Sequence, residues 1–273
     1  MTRPFADRAV VITGASDGIG AELARQLAAQ GAWLALAARR AHELDVVAQA
    51  CIASGGRAIV VPTDVTDPAQ CDHLIERAIE AYGRIDVLVN NAGLGAHFRF
   101  GPHADVEVYE RLMRVNYLGA VRCTRAALPA LQQSRGLIVA MSSLAGKTGV
   151  PGRTAYAASK HAMNGFFDSL RIELDGTGVD VTVVCPGFVR TNIRRNALGP
   201  DGAPLGASPI DESKAMPLEE CVRQTVAAMA RRQRELVITP RWWLSAILKV
   251  FAPRVIDARA RYAIEQRGPR NEG

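Results

Sequence analysis

Short apolar runs alternate with longer segments of helical periodicity along most of the chain. The apolar runs contain few polar residues and are rich in Val, Ile, Leu and Ala, as is typical of strands buried on both faces of a parallel sheet. The runs predicted to be strands are 9–13, 32–37, 58–61, 85–89, 136–141, 179–184 and 235–238. Helical segments separate them. This alternation predicts an α/β fold with a single, doubly wound parallel sheet of about seven strands and helices on both faces.

Composition narrows the class of protein. A chain of 273 residues suits a single α/β domain with a wide sheet. The five cysteines are scattered without a Cys-x-x-Cys pair, which favours reduced thiols over a disulfide framework or a zinc site. The opening residues do not resemble a signal peptide. We therefore expect a cytoplasmic protein without a metal centre.

The pattern changes twice after residue 190. Residues 192–217 are rich in Gly, Pro, Ser and Asp, and a loop of this length in a compact domain is typical of a functional lid or of a disordered segment. Residues 241–273 form an extension with one apolar helical face, too short to span a bilayer, and many arginines. The predicted domain is therefore 1–240, with the lid inside it and the extension packed on it or on a partner subunit.

The net charge of +6 comes mostly from arginines in and near the extension. An anionic partner such as a membrane surface or a nucleic acid is one interpretation. A solvated, arginine-rich surface is the preferred one, because no nucleic-acid motif accompanies the charge. We expect no nucleic-acid partner, and peripheral membrane contact by the extension is the less favoured alternative.

A glycine-rich segment directly follows the first predicted strand and precedes a helical pattern. This order is typical of a phosphate site, because glycines let the backbone approach a pyrophosphate whose charge meets the helix N-terminus. The spacing is Gly-x-x-x-Gly-x-Gly, not the Gly-x-Gly-x-x-Gly of many dinucleotide folds, and a turn that only joins strand to helix is the alternative. We expect a Rossmann-like fold whose cofactor contacts here are Gly14, Ser16, Asp17, Gly18, Ile19 and Gly20.

The end of the second predicted strand bears on the choice of dinucleotide. NAD-binding folds usually carry an acid about 20 residues after the glycines, on the ribose hydroxyl. That position is Ala38 here, followed by Arg39 and Arg40, whose guanidinium groups match a 2′-phosphate. Asp17 is a counter-signal, since a carboxylate nearby would repel that phosphate, and arginines that merely end a strand in solvent are the alternative. The sequence favours NADP(H) over NAD(H).

Tyr156 and Lys160 are the candidate catalytic pair. Four residues apart on a predicted helix, they project from the same face. A phenol beside an ammonium has its ionised form favoured, so its pKa falls towards the range of an acid/base catalyst. A Tyr and a Lys on an ordinary helix are the alternative for the pair taken alone.

With these residues laid out, the chain resembles a short-chain dehydrogenase/reductase (SDR) of the Tyr-x-x-x-Lys type, from about Arg8 to Ile238. The matching motifs occur in the family's order and at its intervals. They are Thr13 to Gly20, Asn90 to Gly93, Asn116, Ser143, Tyr156 to Lys160, and Pro186-Gly187 with Thr191.

The resemblance implies catalytic roles. Tyr156 would donate a proton in carbonyl reduction and accept one in alcohol oxidation, and Lys160 would hold the nicotinamide ribose and lower the Tyr156 pKa. Ser143, rather than Ser142, would hydrogen-bond the substrate oxygen, because the family's serine lies thirteen residues before the tyrosine. Asn116 would support a water-linked proton path from Lys160.

The resemblance also implies further cofactor contacts. Asp64 and Val65 would flank the adenine, and Asn91, Ala92 and Gly93 would lie along the cofactor. The group at its carboxamide end would be Pro186, Gly187, Val189 and Thr191. An alanine at the acid position followed by Arg39 is similar to NADP(H)-preferring members. The family is usually dimeric or tetrameric, so we expect a homo-oligomer.

Together these features predict an oxidoreductase that transfers a hydride between NADP(H) and a ketone or secondary alcohol. The long lid and the apolar extension favour a hydrophobic substrate. The alternatives are a catalytically inactive dinucleotide-binding regulatory protein, an NAD-dependent alcohol dehydrogenase, and an epimerase or dehydratase of the same fold. All four catalytic positions carry the expected residue types, which argues against the inactive protein.

Overall fold

The computed structural model describes residues 3–208, 215–239 and 248–265, with side chains described as far as residue 262. Within these residues, seven parallel strands form one sheet in the order β3-β2-β1-β4-β5-β6-β7. Their bounds are β1 (Ala9–Thr13), β2 (Trp33–Ala38), β3 (Arg57–Pro62), β4 (Val87–Asn90), β5 (Leu137–Met141), β6 (Asp180–Pro186) and β7 (Glu235–Ile238).

Helices cover both faces of this sheet. They are α1 (Gly18–Ala28), α2 (Ala41–Ala53), α3 (Pro68–Tyr82), α4 (Val106–Leu112), α5 (Gly119–Ser134), α6 (Thr154–Glu173), α7 (Leu218–Ala230) and α8 (Pro253–Glu265). Helices α1, α2 and α7 pack on one face, and α3, α5 and α6 pack on the other. Because both faces are covered, the central strands bury every residue, which explains their uninterrupted apolar sequences.

Local sequence sets the helix bounds. Asp67 precedes α3 and accepts a hydrogen bond from the Ala69 amide at 2.9 Å, while Pro68 occupies the first turn, where its missing N–H costs nothing. Gly83 ends the same helix in the left-handed conformation. The amphipathic face between these caps buries Leu74 and Ile75 against the sheet.

A third, smaller core lies at the carboxyl ends of the strands. Phe98, Leu112, Ala155, Tyr156 and Leu198 are buried together there. This core joins the segment after β4, the end of α4, the start of α6 and the segment after β6. It therefore holds several connecting segments in fixed positions around one edge of the sheet.

The predicted fold is confirmed: the sheet is parallel and doubly wound, with helices on both faces. One of the helical segments expected between the strands, the one between β4 and β5, is not a single helix. It comprises α4, a π-helical turn (Met113–Leu118) and α5, and apolar periodicity does not reveal the widened turn because its residues continue the helical pattern.

The segments after residue 190 are described in part. The predicted lid forms isolated bridges with the rest of the domain, and its residues 209–214 lie outside the described part, as do residues 240–247 of the extension. Lys249 donates a hydrogen bond to the Lys147 carbonyl at 2.8 Å, and Ile256 of α8 is buried. In the described part of the chain, no helix combines the length and apolar character needed to cross a membrane.

The glycine turn between β1 and α1 depends on close backbone approach. A Cβ at Gly20 would lie 2.3 Å from the Gly14 carbonyl oxygen and 2.5 Å from Asn91 Nδ2. The Asn91 side-chain amide donates through Nδ2 to the Thr13 and Gly14 carbonyls at 2.9 and 3.1 Å. The turn and the end of β4 are thus packed too tightly for any side chain at Gly20.

We predict that Gly20→Ala lowers the free energy of unfolding by about 2 kcal/mol or more, because a backbone carbonyl must move to admit the methyl group. Urea denaturation followed by circular dichroism measures this. Gly165→Ala is the control: at this exposed position of α6, where a Cβ meets nothing within 4 Å, the substitution should stabilise the protein by about 0.5–1 kcal/mol. Wild-type stability of Gly20→Ala would contradict the close packing.

Candidate active site

A cleft of about 750 Å³ opens at the carboxyl ends of the strands, where the chain order reverses between β1 and β4. Parallel sheets bind ligands in such crevices. Residues that end or follow six successive strands line it: Gly14, Arg39, Thr63, Asn91, Ser142 and Pro186. Every site residue predicted from the sequence lines this cleft except Gly20 and Asn116, which are buried behind its wall.

Tyr156 and Lys160 project into the cleft from the first turns of α6. Both are nearly buried, with 7% and 3% of their surfaces exposed. The Lys160 Nζ atom lies 5.9 Å from the centre of the Tyr156 ring. The predicted same-face pairing is therefore present, and both side chains are largely shielded from solvent.

Lys160 is held by the sheet. Its Nζ donates to the Met141 carbonyl at the end of β5, at 2.7 Å, and lies 3.6 Å from the Met163 sulfur. Burial lowers the pKa of its ammonium from 10.5 to about 8, because few groups replace the lost water. The Lys160 ammonium is therefore more acidic than that of a solvated lysine.

Asn116 lies in the π-helical turn and is fully buried. Its Oδ1 accepts from the Leu94 amide at 2.7 Å, and its Nδ2 donates to the Leu94 carbonyl and to Ser159 Oγ at 3.0 and 2.9 Å. Ser159 Oγ in turn donates to the Tyr156 carbonyl at 2.8 Å. This chain of hydrogen bonds connects the segment after β4 to the helix turn that carries Tyr156.

Gly93 lies between Asn116 and Lys160. A Cβ built on Gly93 would be 3.2 Å from Asn116 Oδ1 and 3.8 Å from Lys160 Nζ. The two polar groups therefore lie on either side of Gly93 at the cleft wall, and the proton path between them stays a prediction.

The two adjacent serines after β5 have different environments. Ser143 lines the cleft and begins a short 3₁₀ turn (Leu144–Gly146) by accepting from the Ala145 amide at 3.2 Å. Ser142 is more buried, and its Oγ faces the Lys160 carbonyl at 3.5 Å. Both serines border the cleft, and Ser143 is the less buried of the two; the role of its hydroxyl as a donor to the substrate stays a prediction.

The glycine turn forms a cradle at the other end of the cleft. Gly14 and Gly18 have φ angles of +66° and +54°, which favour glycine. A Cβ at Gly14 would lie 2.8 Å from the Ala92 Cα atom. Backbone therefore forms the wall of the cleft here, as an approaching pyrophosphate requires.

Asp17 has a structural role that the sequence analysis missed. Its carboxylate caps α1 by accepting from the Gly18 amide at 2.7 Å and also accepts from Asn192 Nδ2 at 3.0 Å. A carboxylate at a helix N-terminus is stabilised by the helix dipole. The carboxylate of Asp17 is thus directed at the helix end and the lid segment.

The two arginines after β2 lie at the rim of the cleft beside the glycine turn. Arg40 Nη2 donates to Ser16 Oγ at 3.1 Å, and Arg40 Nη1 forms an ion pair with Glu43 at 3.3 Å. Arg39 is exposed and pairs with no carboxylate of the described residues. An arginine–serine pair next to two glycines has the donors that a phosphate monoester requires.

The remaining predicted cofactor residues line the walls between these two ends. Asp64 accepts from the Thr66 amide and hydroxyl at 2.9 and 2.8 Å, which fixes the loop after β3. The residues after β4 and β6 complete the walls: Asn91, Ala92, Gly93, Pro186, Gly187, Val189 and Thr191. The cradle, the rim arginines and this elongated lining fit a nicotinamide dinucleotide.

Sequence reasoning missed several arginines that line the cleft beyond Tyr156: Arg111, Arg114, Arg153 and Arg194. The Arg153 guanidinium carbon lies 5.3 Å from the centre of the Tyr156 ring. Arg194 is buried, donates to the Val189 carbonyl and stacks on Phe188. The sequence offered one signal for Arg153, namely that it lies three residues before Tyr156.

The cleft has no arrangement of metal ligands. Among the residues that the structure describes, no group of His, Cys, Asp and Glu is clustered to hold a metal ion. What the arrangement offers is a phenol and a hydroxyl at the wall of the cleft, with a buried ammonium near the phenol. These groups suit proton transfer to or from an oxygen atom.

We predict that Lys160→Met stabilises the ligand-free protein at pH 7 while abolishing activity. The folded protein binds the Lys160 proton less tightly than the unfolded chain does. The free energy of unfolding of the wild type therefore rises with pH between about 8 and 10.5. Below pH 8 the lysine is charged in both states, and the full cost of burying its charge lowers the stability of the folded protein. A shift of this size corresponds to about 3 kcal/mol, and the lost Met141 hydrogen bond reduces the expected gain to about 1–2 kcal/mol.

Thermal melting of wild type and variant from pH 7 to 10.5 measures the effect, and the difference in melting temperature should shrink as pH rises. Met163→Leu is the control, because it alters the adjacent core without removing an ionisable group. A difference between Lys160→Met and wild type that does not change with pH would contradict the buried-ammonium account.

Comparisons with known proteins agree with this geometry. The family model for short chain dehydrogenases matches residues 8–200. The chain is 38% identical over 239 residues to human dehydrogenase/reductase SDR family member 7, covering 85% of this chain and 70% of that protein. It is 36% identical over 261 residues to 11-beta-hydroxysteroid dehydrogenase 1A of Arabidopsis thaliana, covering 92% and 73%.

Solved structures give the same result. A short chain dehydrogenase/reductase from Burkholderia phymatum in complex with NAD has a TM-score of 0.81, with 26% identity over 93% of this chain and 96% of that one. An alcohol dehydrogenase from Thermococcus sibiricus complexed with 5-hydroxy-NADP has a TM-score of 0.73, with 27% identity over 85% and 95%. The chain belongs to the short-chain dehydrogenase/reductase family of oxidoreductases.

Proposed function

We propose that this protein is an NADP(H)-dependent oxidoreductase that transfers a hydride between the nicotinamide and a ketone or secondary alcohol. The observation that carries the proposal is the meeting of Ser143, Tyr156 and Lys160 at one wall of a cleft whose other end is a glycine cradle. The occupied catalytic positions also favour a working enzyme over a regulatory protein that only binds the cofactor.

The residues act on protons and orientation. A bound nicotinamide supplies the hydride for reduction or accepts it in oxidation. In reduction the Tyr156 phenol donates its proton to the carbonyl oxygen, and the Ser143 hydroxyl hydrogen-bonds that same oxygen. The Lys160 ammonium, near the phenol, stabilises the negative charge left on Tyr156 and returns a proton through the space it shares with Asn116. Oxidation reverses these steps.

The preference for NADP(H) rests on the rim beside the glycine turn. Arg40 and Ser16 form one donor pair there, Arg39 adds an exposed guanidinium, and Ala38 has no carboxylate to hold a 2′-hydroxyl. The Asp17 carboxylate, which was the sequence's argument for NAD(H), is engaged by the α1 amide and by Asn192. The repulsion expected from it is thereby reduced.

The substrate is proposed to be largely apolar. Leu94, Val115, Ile193, Leu198 and Pro204 line the cleft beyond the catalytic residues. The Arabidopsis relative is named for activity on a hydroxysteroid, and the archaeal structure is named for activity on an alcohol. Both names describe the interconversion of an alcohol and a carbonyl, the chemistry proposed here.

We predict that Tyr156→Phe lowers kcat by about 10²–10⁴ with any ketone that the wild type reduces, because the proton donor is lost. NADPH affinity should stay within about twofold. Steady-state absorbance at the nicotinamide band and a fluorescence titration measure the two quantities. The serines provide a matched pair: Ser143→Ala should lose far more activity than Ser142→Ala. Undiminished turnover by Tyr156→Phe would refute the mechanism.

We predict that NADPH binds more tightly than NADH, and that Arg39→Ala or Arg40→Ala reduces the NADPH affinity about ten- to a hundredfold while leaving that for NADH unchanged. A charge-assisted contact to a phosphate is of that strength. Titration of both cofactors measures the effect. Arg57→Ala, at the amino end of β3, is the control. NADH binding as tightly as NADPH would reverse the assignment.

A further inference from the structure

Basic residues dominate the lining of the cleft. Among the described residues that line it, seven are basic and two are acidic, and both carboxylates, Asp17 and Asp64, lie at the cofactor end. Beyond Tyr156 the lining contains four arginines and no carboxylate. A half-cleft of one charge sign, with low-dielectric walls, concentrates ligands of the opposite sign.

These arginines differ in their partners. Arg114 is neutralised by ion pairs with Glu107 and Glu110, at 3.2 and 2.6 Å. Arg111 donates to the Gly202 carbonyl at 3.2 Å. Arg153 forms no ion pair and no side-chain hydrogen bond with any residue in the described ranges; its guanidinium carbon lies over the face of Tyr156, 5.3 Å from the ring centre.

Arg153 is fixed in position. It immediately precedes α6, and its carbonyl accepts from the Ala157 amide at 2.8 Å. Its amide donates to the Val150 carbonyl at 3.1 Å, and the adjacent Gly152 carbonyl accepts from the Phe98 amide at 2.9 Å. A cation on an anchored backbone, stacked on an aromatic ring, loses little conformational freedom on binding an anion.

The environment of Arg153 also favours an anion. The side chain is partly buried, and burial lowers the pKa of its guanidinium, opposed by Tyr156 and reinforced by the nearby charge of Arg194. A desolvated cation next to another cation is stabilised by a negative ligand.

We propose, on the basis of the proposed function, that Arg153 binds a carboxylate of the substrate, so that the enzyme acts on oxo acids or hydroxy acids. Because the guanidinium stacks on the ring of the proton donor, the carboxylate is only a few bonds from the reacting carbonyl. The apolar side chains Ile193 and Leu198 line the same half of the cleft and receive the rest of the molecule. The substrate is thus an amphiphilic oxo acid with a short distance between its two oxygen functions.

The test compares oxooctanoates, with the keto group α, β or γ to the carboxylate, with their methyl esters. We expect the wild type to prefer at least one acid over its ester by about tenfold or more in kcat/KM. Arg153→Gln should lower kcat/KM for that acid about ten- to a hundredfold and change that for the ester by less than about threefold. Arg114→Gln is the matched control, since it also removes one positive charge from the lining; the acid-to-ester ratio should stay near the wild-type value.

Two kinetic outcomes would overturn the inference while leaving the oxidoreductase proposal intact. Equal rates on acid and ester by the wild type would mean that no carboxylate is recognised. Equal loss on both substrates in Arg153→Gln would mean that the arginine acts through Tyr156.

A binding measurement separates this inference from the proposed function. Calorimetric titration of the same acids into protein saturated with NADP⁺ requires no turnover, and Arg153→Gln should weaken binding by the same factor. Failure of the wild type to bind any of these acids would refute the carboxylate site. Acid binding that depends on Arg153, without turnover of any ketone or alcohol, would support the site and refute the proposed function instead.

Discussion

The rest of the site depends on one buried charge. Lys160 is almost completely removed from water, and a single main-chain carbonyl, that of Met141, replaces most of its solvation. An ammonium in such a place is unfavourable for folding, and the low pKa of about 8 measures that cost. The hydrophobic cores on both faces of the sheet make the arrangement possible, because they supply far more stability than this one group removes. The position of Lys160 in turn places a positive charge 5.9 Å from the centre of the Tyr156 ring.

The π-helical turn between α4 and α5 belongs to the same network. It positions Asn116 so that both ends of its side-chain amide bond to the segment after β4 and to Ser159. An ordinary α-helical turn would rotate that side chain along the helix surface. The widened turn therefore links the segment after β4 to the helix that carries Tyr156. Polar contacts as well as packing hold these two elements in fixed positions relative to each other.

Much of this organisation follows from the sequence and some of it does not. Uninterrupted apolar strands predict a parallel sheet, since only burial on both faces tolerates them, and glycine spacing and the Tyr156–Lys160 interval predict contacts that are local in the chain. The partners of Asp17 and Asn116 were not predictable, because they come from distant segments: Asn192 is 175 positions from Asp17, and Ser159 is 43 positions from Asn116. Periodicity also does not distinguish a π turn from an α-helix.

Backbone contacts, more than side chains, attach the segment over the cleft. Leu198 accepts from the His97 amide at 3.0 Å and donates to the Gly95 carbonyl at 2.9 Å, and its side chain packs in the small core that buries Tyr156. The Gly- and Pro-rich composition that predicts a loop gives no sign of this attachment, because main-chain hydrogen bonds are open to nearly any residue. The same attachment places Ile193 and Arg194 in the lining of the cleft, with the charge of Arg194 near that of Arg153. The positions of the side chains in this part of the cleft lining are thus determined by main-chain pairing between two segments a hundred residues apart.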